Sequence, residues 1–451
     1  METEKKFLSF WKKCAYGSGN MGSDFFYTFA SGFVLIYLTD AVGLNPGILG
    51  TLMMLSRMTD GVTDVIFGNM LDRTKSKLGK SRFWIIWTIL PIAICEVLLF
   101  SVPAMNSTLQ YVYFFVIYYI VYEVFSVNNI AYETLSMLIT ANKNERVQLG
   151  AFRFVFTMIT GVVVSSATIA LVTGFGGGTG GWRAVAMIYA SLFAIIMFIC
   201  VLSSKELPSS EFGYNDEEEK EQPRLLETVG YLLRNKYYLL QLCTNISFNL
   251  TIVSASSMGI YYATYVLNNP ALLGVFTLQA IPMVIGLVLS PMLVKRWGIY
   301  KSNLRGLAIT LVAGVFYMVF GMKAMVVPMI ISACICSFGR GPLVANFNAL
   351  IAEISEFSRR RDGVRLEGAM FSCAALGMKI GGGLGNALTG WLLTLSRYDG
   401  MVDTQPASAL LMIKSLYVVL PLIITIVMVL LQSLLKVEKA NNALKDTDSG
   451  E

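Results

Sequence analysis

Apolar residues fall along the chain in blocks long enough to cross a bilayer, separated by polar breaks. A hydrocarbon core of roughly 30 Å needs about 20 apolar residues per helix. Such blocks occur at 16–39, 47–70, 83–103, 109–140, 150–173 and 183–203, then at 236–266, 271–294, 304–322, 325–352, 367–395 and 409–435. The pattern predicts an all-α membrane protein with twelve transmembrane helices in two sets of six. The longest blocks, 109–140 among them, extend past the membrane or tilt within it. The polar stretch 204–235 carries the acidic run Asp216 to Glu219 and reads as a solvated linker. On that division 1–203 and 236–435 are two six-helix bundles, and 436–451 is a polar tail expected to be disordered.

Basic residues sort by side. Of 35 Lys and Arg, 27 fall in the loops that share a side with the N-terminus, 3 in the opposite loops and 5 inside spans. Loops rich in Lys and Arg stay in the cytoplasm, so both termini are expected to be cytoplasmic and the chain to lie in the inner (plasma) membrane. The net charge of +6 is then a topology label and not a sign of anionic partners. With 55% hydrophobic and only 14% charged residues, a soluble enzyme is excluded, as is a disordered or nucleic-acid-binding protein. There is no His, which removes His-based metal sites, His bases and Ser-His-Asp triads. The 7 Cys are scattered through apolar stretches without metal or disulfide spacing, and are expected to pack as small hydrophobes. Residues 1–13 are polar and basic with no small-residue cleavage site nearby, so a cleaved signal peptide is not expected.

The halves repeat. The basic loop Asp72 to Lys80 after the second span has a counterpart, Lys295 to Lys301, after the eighth. Asn142 to Arg146 after the fourth matches Ser358 to Asp362 after the tenth. Two parallel six-helix repeats with a site between them resemble the major facilitator superfamily, which works by alternating access.

Ionisable residues inside spans are costly and mark function. Asp60 and Asp64 lie one turn apart and share a helix face, with Arg57 beside them. One arginine cannot neutralise two carboxylates. The pair can hold Na+ with hard oxygen ligands or, since like charges repel, hold a proton; a structural ion pair with Arg57 is the plain alternative. Asp24, among small neighbours, suits the hydroxyls of a polyol, or pairs with Arg153 of the fifth span. Arg153, Arg340 and Lys379 are cations on the fifth, tenth and eleventh spans. Each neutralises an Asp, or together they meet an anionic substrate. Glu133 and the adjacent amides Asn128 and Asn129 sit on the fourth span, where they meet either a cavity or a neighbouring helix. Gly381, Gly382, Gly383 and Gly385 lack a following GK[ST], so they serve packing or a hinge and not phosphate binding.

Four stretches carry a family resemblance: Tyr16 to Asn20 with Asp24 and Tyr37 to Leu44; Arg57 to Asp64 with Gly68, Asp72-Arg73-Thr74 and Trp84; Asn129 to Tyr132 with Leu135; and Gly363 to Gly368 with Phe371, Ser372 and Lys379. Over residues 14–436 the chain resembles the glycoside–pentoside–hexuronide:cation symporters, the family of the melibiose permease. The resemblance implies a cation site at Asp60 and Asp64, with Thr63 a neighbouring ligand and Ser126 facing them from the fourth helix. It also implies a sugar site at Asp24 and Arg153, with Lys379 the cavity lysine of the eleventh helix. Asn129 stands where the melibiose permease has an acidic sugar ligand, Glu133 where it has a stacking Trp, and Ser23 where it has a Lys.

The expected activity is therefore sugar or glycoside symport driven by Na+ or H+. Asp60 and Asp64 would be the metal ligands if the ion is Na+. Substrate contacts are expected from Asp24, Asn129, Arg153, Lys379, Glu133 and Arg340. No catalytic residue and no cofactor beyond the coupling cation is expected, and the chain is expected to act as a monomer in the lipid bilayer. A lysolipid carrier on the same scaffold and a non-transporting membrane sensor are the alternatives.

Overall fold

The computed structural model describes residues 8–140, 142–207, 225–362, 367–402 and 404–441. The first half is built from α1 (Phe10–Ile36), α2 (Pro46–Arg73), α3 (Lys80–Leu99), α4 (Ser107–Leu138), α5 (Lys143–Gly174) and α6 (Gly178–Ser203). A short α7 (Leu225–Arg234) leads into the second half, whereas the acidic run of the expected linker lies outside the described residues. The second half comprises α8 (Lys236–Tyr261), α9 (Leu272–Thr277), α10 (Ala280–Met322), α11 (Val326–Ala345), α12 (Phe347–Asp362), α13 (Glu367–Leu395), α14 (Ala407–Lys414) and α15 (Leu420–Leu434).

Gly298, at φ 78°, breaks α10 into two crossings. α11 and α12 form one crossing interrupted at Asn346, and α14 and α15 form another, joined by a π-helical turn at Ser415–Val419. The described helices thus make twelve crossings, as the apolar blocks predict. Two further π-helical turns, Tyr37–Ala41 and Tyr262–Val266, sit at matching places in the two halves, at the ends of α1 and α8. A π turn widens the helix and re-aims its side chains, and is common at functional positions.

The outward faces are apolar. Trp87, Leu90 and Ile94 on α3, and Ile423, Ile426 and Leu430 on α15, are exposed at the three- and four-residue spacing of a single helix face. Such stripes are stable where lipid covers them. At the contact between the halves, α13 packs against both α2 and α8. The glycine run makes that packing possible. Gly381 rests against the Ile246 carbonyl and Gly385 against that of Leu250 on α8, while Gly383 meets Met54 and Arg57 on α2.

The interior of the first half is aromatic. Phe29 stacks on Phe100 with centroids 4.0 Å apart, and Trp182 and Tyr189 close around them. Described cysteines 14, 95, 200, 243, 334 and 336 are all free thiols; Cys200 and Cys336 are buried, while Cys243 is exposed and does not follow the expectation of core packing.

A pair of equivalent caps links the repeats. Glu206, just after α6, accepts the N–H groups of Lys80 (2.8 Å), Ser81 (2.9 Å) and Arg82 (3.0 Å) at the start of α3. Glu438, just after α15, accepts those of Ile299 (2.9 Å) and Tyr300 (3.1 Å) at the start of the crossing that follows Gly298. In each half a carboxylate beyond the sixth crossing satisfies the free N–H groups and the positive dipole end of the third. Gly79 (φ 104°) and Gly298 (φ 78°) supply the left-handed turns that open these helices beside the carboxylates. The Glu438 contact corrects the expected disorder after Lys436. Residues 437–441 fold back, with Val437 buried and Asn441 donating to Glu353 at 2.7 Å.

Candidate functional site

Two polar clusters and one cavity lie where the helices of the two halves meet. The first cluster is on α1, α4 and α5. Asn20 stands one turn before Asp24 and donates to its Oδ2 at 3.0 Å. The same Asn20 amide group donates to Thr157 Oγ1 on α5, and its carbonyl accepts from Arg153 Nε at 3.2 Å. Arg153 also pairs with Glu133 at 3.5 Å and lies 5.0 Å from the centroid of the buried Tyr132 ring. The alternative pairing of Asp24 with Arg153 is not what forms. Asn20 stands between them, bonded to both, and the cation's ion pair goes to Glu133. Glu133 is 57% exposed, so it anchors Arg153 from the open side of the cluster. The Asp24 carboxylate is held from one edge by a neutral amide, a geometry that leaves lone pairs for hydroxyl donors.

The second cluster joins the halves. Ser126 on α4 donates to Asp64 Oδ1, and Lys379 Nζ on α13 sits 2.6 Å from Asp64 Oδ2. Both carboxylate oxygens are thus engaged, one by a neutral hydroxyl and one by an ammonium. Thr63 is half-buried in α2 beside Asp64 and has a partner of its own. Asp60 lies one turn earlier in α2, and its side chain is outside the described residues. Arg57, on the same helix, lays its guanidinium 3.8 Å from the centroid of the Tyr122 ring and has a further partner besides.

The clusters are connected by α4. Ser126, Asn129 and Glu133 are three and four residues apart and share one face of that helix. One end of this stripe touches Asp64 and the other touches Arg153. Asn129 is half-buried in the middle. Asn128 points elsewhere, donating to Thr88 of α3 at 2.7 Å, so it is a helix–helix bond. Glu96 is fully buried on α3 away from both clusters, with neither carboxylate oxygen hydrogen-bonded to a described residue. Nothing in the structure explains it.

A cavity of about 390 Å³ lies between the halves, walled by α1 and α5 on one side and by α8 to α11 and the last crossing on the other. Thr28 and Thr157 face it from the first half, and Gln279, Thr310, Ser337 and Arg340 from the second. Thr157 is also a member of the Asp24 cluster, so the two adjoin. The size falls within the range of about 300–1,000 Å³ typical of small-ligand sites.

At the end opposite the basic loops the halves are latched, a feature that the charge reading did not isolate. Asp40, in the π turn after α1, accepts from Thr39 (2.6 Å), from Tyr265 in the matching π turn (2.7 Å) and from Tyr398 beyond α13 (2.6 Å). The Thr39 and Tyr261 hydroxyls are 2.9 Å apart. Gly47 N–H donates to Thr394 at 2.7 Å, and Trp391 Nε1 to Thr51 at 2.8 Å. The signal was present as tyrosines clustered at the end of the seventh span opposite an Asp at the end of the first. Asp40→Ala removes the two hydrogen bonds that reach Asp40 from the other half, from Tyr265 and Tyr398, each worth about 1.5–3 kcal/mol if the acceptor is charged. It is expected to raise the labelling of Thr51→Cys by an impermeant maleimide, applied from that side, at least about tenfold. An unchanged labelling rate would refute the latch.

The MFS/sugar transport protein family model matches residues 15–439. Among curated relatives, an isoprimeverose transporter of Lactiplantibacillus pentosus is 27% identical over 93% of this chain and 87% of its own. The putative glycoside/cation symporter YagG of Escherichia coli is 26% identical over 95% and 92%. Among solved structures, a bacterial homologue of the human lysosomal transporter Spinster, in an inward-facing and unoccupied conformation, superposes with a TM-score of 0.67 at 13% identity, covering 97% of each chain. That likeness establishes the shared fold, and the family match covers nearly the whole chain. The chain is a membrane transporter and not an enzyme, and it belongs to the MFS/sugar transport protein family.

Proposed function

We propose that this protein is a secondary active transporter that moves a sugar or glycoside together with a monovalent cation, Na+ or H+, by alternating access. The relatives named as an isoprimeverose transporter and a glycoside/cation symporter support the class of cargo. The observation that carries the coupling is the stripe on α4, which touches Asp64 at one end and Arg153 at the other. Asp64, with Asp60, Thr63 and Ser126, holds the cation. Asp24, Asn129 and Arg153 hold the sugar, with Glu133 positioning Arg153. Lys379 occupies Asp64 in the absence of cation and gives way to it. A cation on Asp64 then resets Ser126, and through one rigid helix the position of Asn129 and Glu133.

The moving bodies are 1–203 and 236–435, joined by the linker 204–235. With both termini in the cytoplasm of a cell whose plasma membrane the protein spans as a monomer, the Asp40 latch is the outer gate. The structure then corresponds to the state closed to the outside.

Sugar uptake into proteoliposomes, measured across a Na+ titration at fixed pH and across a pH titration, tests the coupling. Linkage requires cation and sugar to raise each other's affinity by the same factor. Sugar affinity that stays flat in both titrations would refute it.

A further inference from the structure

Arg340 is the one charged side chain among the described residues that line the central cavity. Its Nε is buried and makes no hydrogen bond, and no described carboxylate pairs with its guanidinium. The other intramembrane cations near the halves' contact are engaged: Arg153 by Glu133, Lys379 by Asp64, and Arg57 by the Tyr122 ring. Beside Arg340 the cavity wall offers Tyr317, Cys336 and Ser337, all neutral. Ser337 is turned to Gln279 at 3.4 Å, so it is occupied as a donor.

An arginine stays protonated at any physiological pH, and an unpaired charge inside a membrane bundle is costly unless something else in the working cycle satisfies it. The guanidinium fork matches a carboxylate in a bidentate arrangement that a lone ammonium cannot copy. The opposite wall presents Thr157, tied through Asn20 to the Asp24 carboxylate, which is an acceptor for hydroxyls. One side of the cavity therefore suits a polyol and the other an anion.

We propose that the substrate is a sugar or glycoside bearing a carboxylate, and that Arg340 selects it for that charge. This rests on the sugar-transport reading above and narrows it to acidic sugars.

The test uses proteoliposomes containing the full chain, with inward Na+ and proton gradients, and three probes: methyl β-D-glucuronide, its neutral amide, and methyl β-D-glucoside. Below saturation, the wild type is expected to take up the glucuronide at least about tenfold faster than the amide, which differs only in charge. Arg340→Gln is expected to bring that ratio close to one, through loss of glucuronide uptake with glucoside uptake retained. Arg340→Lys is expected to keep part of the preference. Equal uptake of glucuronide and amide by the wild type overturns the proposal, as does an unchanged ratio in Arg340→Gln. The wild-type comparison decides even if that variant fails to fold. Uptake of the glucoside with refusal of the glucuronide overturns this proposal alone, whereas uptake of none of the three overturns the sugar reading as well.

Discussion

Asp64→Asn is expected to abolish uphill sugar accumulation while downhill sugar exchange continues. A cation that enters with the membrane potential gains about 2.3 kcal/mol per 100 mV. At about 1.4 kcal/mol per decade, that supports roughly fifty-fold accumulation of a neutral probe such as methyl β-D-glucoside moved with one cation, whereas a carboxylate-bearing sugar moved with one cation carries no net charge and is driven by the cation's concentration gradient alone. An amide carries no charge for a cation or a proton to neutralise, so the accumulation ratio should fall to about one. Stability complicates the single variant, because Lys379 sits 2.6 Å from Asp64 and would lose that contact. Removing one partner of this half-buried pair is destabilising, because the remaining charge loses its compensation. The double variant Asp64→Asn/Lys379→Gln removes both charges and should recover folded protein without recovering accumulation. The measurement is the steady-state ratio of internal to external sugar under a Na+ gradient and, separately, a pH gradient. Accumulation by the double variant under either gradient would show that Asp64 does not carry the coupling ion.

Asp24→Asn is expected to lower sugar affinity about a hundredfold while leaving cation affinity in the absence of sugar unchanged. The substitution preserves shape, and Asn20 can still hold the new amide through the contact it now makes at 3.0 Å. The lost feature is an ionised acceptor. Hydrogen bonds to charged groups are worth about 1.5–3 kcal/mol each, so two hydroxyl contacts at the lower bound give about two decades. Cation affinity is expected to be spared because the Ser126 and Lys379 contacts of the proposed cation cluster join α2, α4 and α13 among the described residues. Titration calorimetry with sugar and with Na+ separates the two affinities. Retained sugar affinity would remove Asp24 from the sugar site, and parallel loss of both would point to damage to the bundle.

The two predictions differ in how far the sequence could reach them. Asp24, Asp60 and Asp64 stand out in one dimension, because charge in an apolar block is rare and needs no folding to be noticed. Their partners do not. Lys379 lies over three hundred residues from Asp64, and only the packing of α13 against α2 brings them together. Arg153 was open between Asp24 and other roles, and the structure gives its ion pair to Glu133 and its hydrogen bond to Asn20. Asn20 was visible only as part of a small-residue motif, yet it bonds to Asp24, Thr157 and Arg153. Hydroxyls and amides carry no such signal in a hydropathy pattern, so Thr157 and the latch tyrosines went unassigned.

The sequence by itself determined the number and placement of the crossings, the repeat of the two halves, and the short list of charged residues from which a site had to be drawn. These are properties of transfer between water and lipid, and each residue contributes to them independently of its neighbours in space. The tertiary structure decided which crossings face one another, that α13 lies against both α2 and α8, and which charges are paired. Among the described residues, it also placed Arg340 as the one charge on the cavity wall. Pairing depends on the rotation of each helix about its axis and on close approach at glycines such as Gly381 and Gly385. Both are set by side-chain packing between helices distant in sequence, and a one-dimensional pattern of polarity does not contain them.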